Sequence, residues 1–70
     1  MYQMIYHPRN KEQKIVETVH SRAKAEEFLS LRETLAKAMN FYCVKENGVL
    51  KILDNNKQVG VYFFKKVNEE

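Results

Sequence analysis

Two histidines and one cysteine are the residues of this chain best suited to catalysis or metal binding. Imidazole and thiolate groups act as bases, nucleophiles or zinc ligands when several of them converge. His7 and His20 bracket a predicted β-hairpin, which separates them by about 20 Å at roughly 3.3 Å per residue. Cys43 is predicted to point into the core, where a thiol is a small inert hydrophobic group. The sequence therefore predicts no catalytic site, no metal site and no enzymatic activity.

Other signatures of chemistry are missing from the sequence. Two glycines, Gly48 and Gly60, are too few for a P-loop or a dinucleotide fingerprint. Glu26 and Glu27 are adjacent in a predicted helix, so their side chains diverge and do not form a carboxylate pair. Arg32 falls in the apolar arc of that helix, where its stem can pack while its guanidinium reaches solvent, an interpretation preferred over ligand binding. No cofactor and no small-molecule substrate is implied.

Basic side chains are concentrated at the start of the chain. Residues 1–24 carry five basic and two acidic side chains, and the net charge of the whole chain is +3. The five are Arg9, Lys11, Lys14, Arg22 and Lys24. They could contact phosphate groups while sheet aromatics stack on bases, or they could keep the rim of a hairpin soluble. Nucleic-acid binding is therefore the second hypothesis for function.

The elements that position these residues are a hairpin, a helix and a three-stranded meander. Residues 1–20 form the predicted hairpin, with strands 2–7 and 14–20. Residues 21–40 contain the helix, with Ser21 as its N-cap and a span from about Arg22 to Met39. Residues 41–67 form the meander. The sequence thus predicts one α+β domain over residues 1–70, of order ββαβββ, with an antiparallel-rich sheet and a single amphipathic helix on one face. The apolar half of the helix holds Ala25, Phe28, Leu29, Leu31, Leu35, Ala36, Ala38 and Met39.

Two turn signals define the pairing of the last three strands. Asn47-Gly48 and Asn55-Asn56 both favour type I′ turns, which pair Cys43 with Ile52 and Ile52 with Val59. The predicted helix side then holds Phe41, Cys43, Leu50, Ile52, Val59, Val61 and Phe63. The opposite face carries an apolar patch made of Tyr42, Val44, Val49, Leu53, Tyr62 and Phe64.

An apolar patch on the second face of a single-layer sheet needs a cover. Such a face is usually polar when it meets water. The N-terminal hairpin could fold over the patch, or a second molecule could cover it. The first hypothesis is therefore a small non-enzymatic binding protein that forms a homodimer or docks on a protein partner, and by analogy with compact chains of this size a regulator or inhibitor.

The pattern of cysteine and apolar residues favours the cytoplasm. A lone cysteine is typical of a reducing compartment. Residues 1–8 lack the basic segment and apolar run of a signal peptide. No stretch approaches the roughly 18–20 apolar residues of a bilayer span, so no membrane association is expected.

Overall fold

The computed structural model describes residues 1–67 and shows a five-stranded antiparallel sheet with one α-helix. The elements along the chain are β1 (Tyr2–Pro8), β2 (Lys14–Val19), α1 (Arg22–Ala38), β3 (Tyr42–Glu46), β4 (Val49–Asp54) and β5 (Lys57–Lys66). The strand order in the sheet is β2-β1-β5-β4-β3. These elements confirm the predicted α+β class and the ββαβββ order.

The N-terminal hairpin extends the sheet instead of folding over it. β1 pairs with β5 along its whole length, from Tyr2 opposite Lys66 to Pro8 opposite Gly60. The backbone N–H of Val67 also donates to the carbonyl oxygen of Met1, at 2.8 Å. The hairpin is therefore an edge extension beside β5, and among residues 1–67 the sheet face opposite α1 is left uncovered.

The helix begins at the predicted cap. Ser21 has an extended backbone, and its hydroxyl oxygen accepts a hydrogen bond from the backbone N–H of Lys24 at 3.2 Å. The helix ends at Ala38, followed by Asn40 with φ of 68°. Asparagine tolerates this left-handed conformation, so the chain can turn there into β3. The buried helical side chains are Ala25, Phe28, Leu29 and Ala36.

Both predicted two-residue turns have the expected backbone conformation. Asn47 and Gly48 have φ of 44° and 77°, and Asn55 and Asn56 have φ of 50° and 67°. Positive φ at both central residues is the mark of a type I′ turn. Across the first turn Cys43 lies opposite Ile52, and Lys45 lies opposite Leu50, as the turn predicts.

The second hairpin contains a β-bulge that its turn residues do not indicate. Next to the turn, Leu53 lies opposite Gln58, as a two-residue loop requires. One step further along β4, Ile52 lies opposite Gly60, so Val59 is an extra residue in β5. Beyond the bulge, every pair is shifted by one residue from the predicted register.

Beyond the bulge, each side chain of β5 lies on the sheet face opposite to the one predicted. Tyr62 and Phe64 point to the helix side, where the Tyr62 ring meets the Phe28 ring edge-on at 6.1 Å between centroids, and Phe64 packs on the core. Val61 and Phe63 therefore lie on the opposite face. The prediction that Val61 and Phe63 face the helix is wrong, as is the placement of Tyr62 and Phe64 on the opposite face. A one-residue slip moves every side chain to the other side of a sheet.

The core lies between α1 and the middle strands. It consists of Met4, Ala25, Phe28, Leu29, Ala36, Leu50 and Ile52. Met4, Leu29 and Leu50 have no exposed surface. Each such side chain contributes about 1.5–3 kcal/mol when it is removed from water, so a core of this size is small. Val59 and Cys43 pack against its edge, on the predicted helix side.

Candidate functional site

A row of four apolar side chains crosses the sheet face opposite α1, which we call the open face. Ile15 pairs with Ile5, Ile5 with Phe63, and Phe63 with Val49. Directly paired residues in neighbouring strands lie side by side on one face, so the four side chains form a continuous row from β2 to β4. We call this set the apolar row. Within residues 1–67, no helix or strand packs over it, because α1 lies on the other side of the sheet.

Burial varies along the apolar row. Ile5 is only 2% exposed although it lies outside the main core cluster. Its neighbours Phe63 and Ile15 flank it on the same face, and Ile15 on the edge strand is itself 56% exposed. The centre of the row is therefore packed, whereas its β2 end is open to water.

Four of the six predicted patch residues do lie on the open face. Tyr42 pairs with Leu53, and Val44 and Val49 alternate with inward-pointing neighbours in β3 and β4. Tyr42 is 70% exposed. Lys51 lies beside Val44, so the face is not purely apolar.

The sequence did not indicate four residues of the open face, namely Ile5, Ile15, Val61 and Phe63. One signal for part of this set is Gly60, since a glycine inside a strand often marks a bulge.

A second candidate surface is a groove on the helix side of the sheet, which we call the helix groove. One part has a volume of about 420 Å³, with a floor that includes Tyr6, Val59 and Tyr62 and a wall that includes Leu35 and Met39 of α1. Arg32 and Leu35 also line an adjoining hollow of about 420 Å³, which reaches Leu31 and Glu17. The two parts meet at Arg32.

Arg32 is held in place by aromatic rings. Its guanidinium carbon lies 4.8 Å from the centroid of the Phe28 ring and 5.7 Å from that of Tyr62. The Tyr62 ring in turn stacks on Tyr6 at 4.4 Å between centroids. Burial, together with the neighbouring Tyr62 hydroxyl, raises the pKa of Tyr6. Among the described residues, no carboxylate forms an ion pair with Arg32.

Part of the predicted apolar half of α1 is not buried. Leu31, Leu35 and Met39 are 59%, 55% and 69% exposed. Their spacing of four residues places them along one stripe of the helix surface. This stripe forms the outer wall of the helix groove. The prediction of a single fully covered helix face is wrong for these three residues and for Ala38, which is also exposed.

The five basic residues at the start of the chain do not form one patch. Arg9 lies at the β1–β2 tip, around an opening of about 380 Å³ that His7 and Lys57 also line. Lys11 lies in the same loop, and Lys14 begins β2.

Arg22 and Lys24 lie in the first turn of α1, beyond the other end of β2. The Arg22 guanidinium carbon sits 5.9 Å from the Phe64 ring centroid, and the Lys24 ammonium pairs with the Glu27 carboxylate at 3.7 Å. The six residues of β2 separate Arg22 and Lys24 from the tip by about 20 Å. The basic residues predicted to contact phosphate groups therefore form two separate sets.

The candidate catalytic residues also lie apart. His7 faces Val61 on the open face, whereas His20 follows β2 just before the helix cap. Cys43 is half-buried on the helix side; burial and the Glu33 carboxylate raise the pKa of its thiol, and Lys37 opposes them. Residues 1–67 contain no group of three or more His, Cys, Asp or Glu side chains that could hold a metal ion.

Comparison with known proteins identifies no relative. The chain matches no protein-family model, and no curated protein or solved structure gives a significant match. No helix in residues 1–67 is long and apolar enough to cross a membrane. Function must therefore be inferred from the open face and the helix groove themselves.

Proposed function

We propose that this chain is a non-enzymatic binding protein that forms a homodimer through its open face. One observation carries the proposal: the apolar row spans four of the five strands, and nothing within residues 1–67 packs over it. Apolar surface removed from water contributes about 25 cal/mol per Å², so covering the row stabilises a chain with a small core.

A second copy fits this face because the apolar row is complementary to itself. A two-fold axis along the row would place Ile5 and Phe63 of one copy against the same residues of the other. Lys51 lies two residues from Val49 along β4, about 7 Å from that axis. The Cα atoms of the two Lys51 residues would then lie about 14 Å apart, measured along the strands. Their repulsion at that separation is largely screened at physiological ionic strength.

The area of the face sets the expected strength of the dimer. Five strands spaced about 4.8 Å apart and about 20 Å long present roughly 480 Å² per copy. Two copies then bury about 1,000 Å², near the lower limit for specific interfaces. We therefore expect a dissociation constant in the micromolar range and an exchange between monomer and dimer.

Sedimentation velocity over a range of about 1–200 µM tests the proposal. The wild-type chain should shift from monomer to dimer with concentration, and the shift should persist at high salt because the contact is apolar. Phe63→Glu places a charge in the middle of the apolar row and should yield a folded monomer. Leu31→Glu is the matched control, because Leu31 is 59% exposed on α1, on the other side of the sheet.

Two results would contradict the homodimer. One is a wild-type chain that stays monomeric across the whole concentration range. The other is a Phe63→Glu variant that is folded by circular dichroism and dimerises as well as the wild type. A monomer that captures a different protein through Phe63 would assign the open face to another partner.

The proposed site of action is the cytoplasm. Cys43 is a free thiol, half-buried at the edge of the core, and such a thiol keeps its reduced form in a reducing compartment. Cell fractionation of the tagged chain tests this assignment, and recovery in a secreted fraction would contradict it.

A further inference from the structure

We propose that the helix groove is a binding site for an apolar monocarboxylate, with Arg32 holding the carboxylate and the groove holding an alkyl or aryl group. Ligand binding by Arg32 was the less favoured interpretation of the sequence, which did not indicate the groove. It lies on the sheet face opposite the proposed dimer contact, so the two proposals stand or fall separately.

The groove exists because one helix does not cover the whole sheet. A helix is about 10 Å wide, whereas five strands span about 24 Å. α1 starts beyond β2 and ends next to Phe41, so it crosses the strands diagonally. The corner that it leaves open has Tyr6, Val59 and Tyr62 as its floor. A volume of about 420 Å³ for this part lies within the range of small-molecule sites.

Arg32 supplies the polar contact of the site. Its guanidinium carbon lies 4.8 Å from the Phe28 ring centroid and 5.7 Å from that of Tyr62, and cation–π contacts of this kind still leave N–H donors of the guanidinium for hydrogen bonds to a ligand. Since no described carboxylate pairs with Arg32, these donors are open to a ligand. The guanidinium fork matches the two oxygen atoms of a carboxylate, and such bidentate bonds are among the strongest in proteins.

The remaining residues of the groove favour a ligand that has one negative charge and an apolar alkyl or aryl group. Leu31, Leu35 and Met39 present an exposed apolar wall, which a hydrocarbon group would cover. Met39 is a flexible side chain that can adapt to different ligand shapes. Glu17 lines the far hollow, and its carboxylate would repel a second negative charge on the ligand. These features favour a monocarboxylate over a phosphate ester or a dicarboxylate.

Octanoate is the probe for the first experiment, with amide chemical shifts of the ¹⁵N-labelled chain as the measurement. We expect saturable shifts at Tyr6, Arg32, Leu35 and Tyr62, with a dissociation constant of about 0.1–5 mM for a ligand of this size. Octylammonium, with the same chain and the opposite charge, should bind at least ten times more weakly. The Phe63→Glu variant should bind octanoate as the wild type does.

Substitutions at the two arginines that lie over aromatic rings complete the test. Arg32→Gln should weaken octanoate binding at least tenfold, and Arg32→Lys should fall between, because it keeps the charge and loses the fork. Arg22→Gln is the matched control, since Arg22 also lies over a ring, that of Phe64, outside the groove. Equal binding of octylammonium, or unchanged affinity in a folded Arg32→Gln variant, would overturn the proposal. So would the absence of saturable shifts up to about 10 mM, the result expected of a groove that accepts only a protein segment.

Discussion

The ring of Tyr6 lies over Gly60, in the space that the Cβ atom of any other residue would occupy. A Cβ atom at Gly60 would come within 2.6 Å of Cε1 and Cζ of the Tyr6 ring. The bulge at Val59 creates this contact because it places Gly60 on the helix side. Gly60 then lies two residues along β5 from Tyr62, which pairs with Tyr6. Only glycine, which has no Cβ atom, therefore fits at position 60 without a shift of the Tyr6 ring.

We predict that Gly60→Ala lowers the free energy of unfolding by about 1–3 kcal/mol, the usual range for overpacking. The Tyr6 ring must move, and its stacking on Tyr62 is disturbed. Urea unfolding measures the loss. In a Tyr6→Ala background the same substitution should cost far less, and an equal cost in both backgrounds would show that the ring is not the obstacle.

The local signals of the sequence predicted the local structure correctly. Ser21 caps the helix, and Asn47-Gly48 sets the β3–β4 register, because a cap or a two-residue turn depends on few neighbours. The β4–β5 register was wrong although Asn55-Asn56 forms the expected turn. A bulge depends on packing from β1 and α1, which the turn residues do not report.

In the candidate sites too, the residues set by local sequence signals were predicted correctly, whereas those that depend on the packing of distant elements were not. Tyr42, Val44, Val49 and Leu53 were placed correctly because the β3–β4 hairpin is regular. Ile5 was missed because only the strand order puts β1 next to β5. The helix groove was missed because a helical wheel shows an apolar arc but not how much of that arc the sheet covers.

Two leucines of α1 provide a direct test of which helix face is buried. Leu29 has no exposed surface, whereas Leu31 is 59% exposed. We predict that Leu29→Ala lowers the free energy of unfolding by about 2–5 kcal/mol, through lost burial and a residual cavity. Leu31→Ala should change it by less than about 0.5 kcal/mol. Similar costs at both positions in thermal or urea unfolding would mean that α1 is rotated from its described orientation.

The cap at Ser21 gives a third prediction. Its hydroxyl satisfies the N–H of Lys24, which has no partner within the helix. Ser21→Ala should lower the free energy of unfolding by about 0.5–2 kcal/mol, and Ser21→Gly by only a few tenths. The order of the two variants is the informative result. A glycine variant that is less stable than the alanine variant would contradict a capping role.

The pH dependence of Cys43 alkylation gives a fourth prediction. Thiolate is the reactive form, and burial together with Glu33 raises the thiol pKa in the folded chain. The iodoacetamide rate profile should therefore rise at higher pH than that of the chain unfolded in urea. Glu33→Gln should move the profile to lower pH, and Lys37→Gln to higher pH. Coinciding folded and unfolded profiles would show that the thiol is not shielded.

The same shift predicts a loss of stability in alkaline solution. The unfolded thiol ionises first, so the contribution of Cys43 is present below its unfolded pKa and is lost as the pH rises through its folded pKa. Cys43→Ser removes the ionising thiol and should flatten this part of the stability profile measured by urea unfolding.

The last prediction concerns nucleic-acid binding by the basic residues at the start of the chain, which the fold divides between two ends of the sheet. Arg9 and Lys57 lie together at one end of the sheet, and Arg22 and Lys24 lie beyond the other end of β2. A short duplex contacting the β1–β2 tip meets at most the four cations Arg9, Lys11, Lys14 and Lys57, so the logarithm of affinity should fall with the logarithm of salt at a slope of no more than about −3 to −4. Arg9→Glu should weaken this non-specific binding, whereas Arg22→Glu should leave it nearly unchanged, as fluorescence anisotropy at several salt concentrations can measure. A slope near −5 that depends on both arginines would show that the cations act together, and nucleic-acid binding would then replace dimerisation as the leading function.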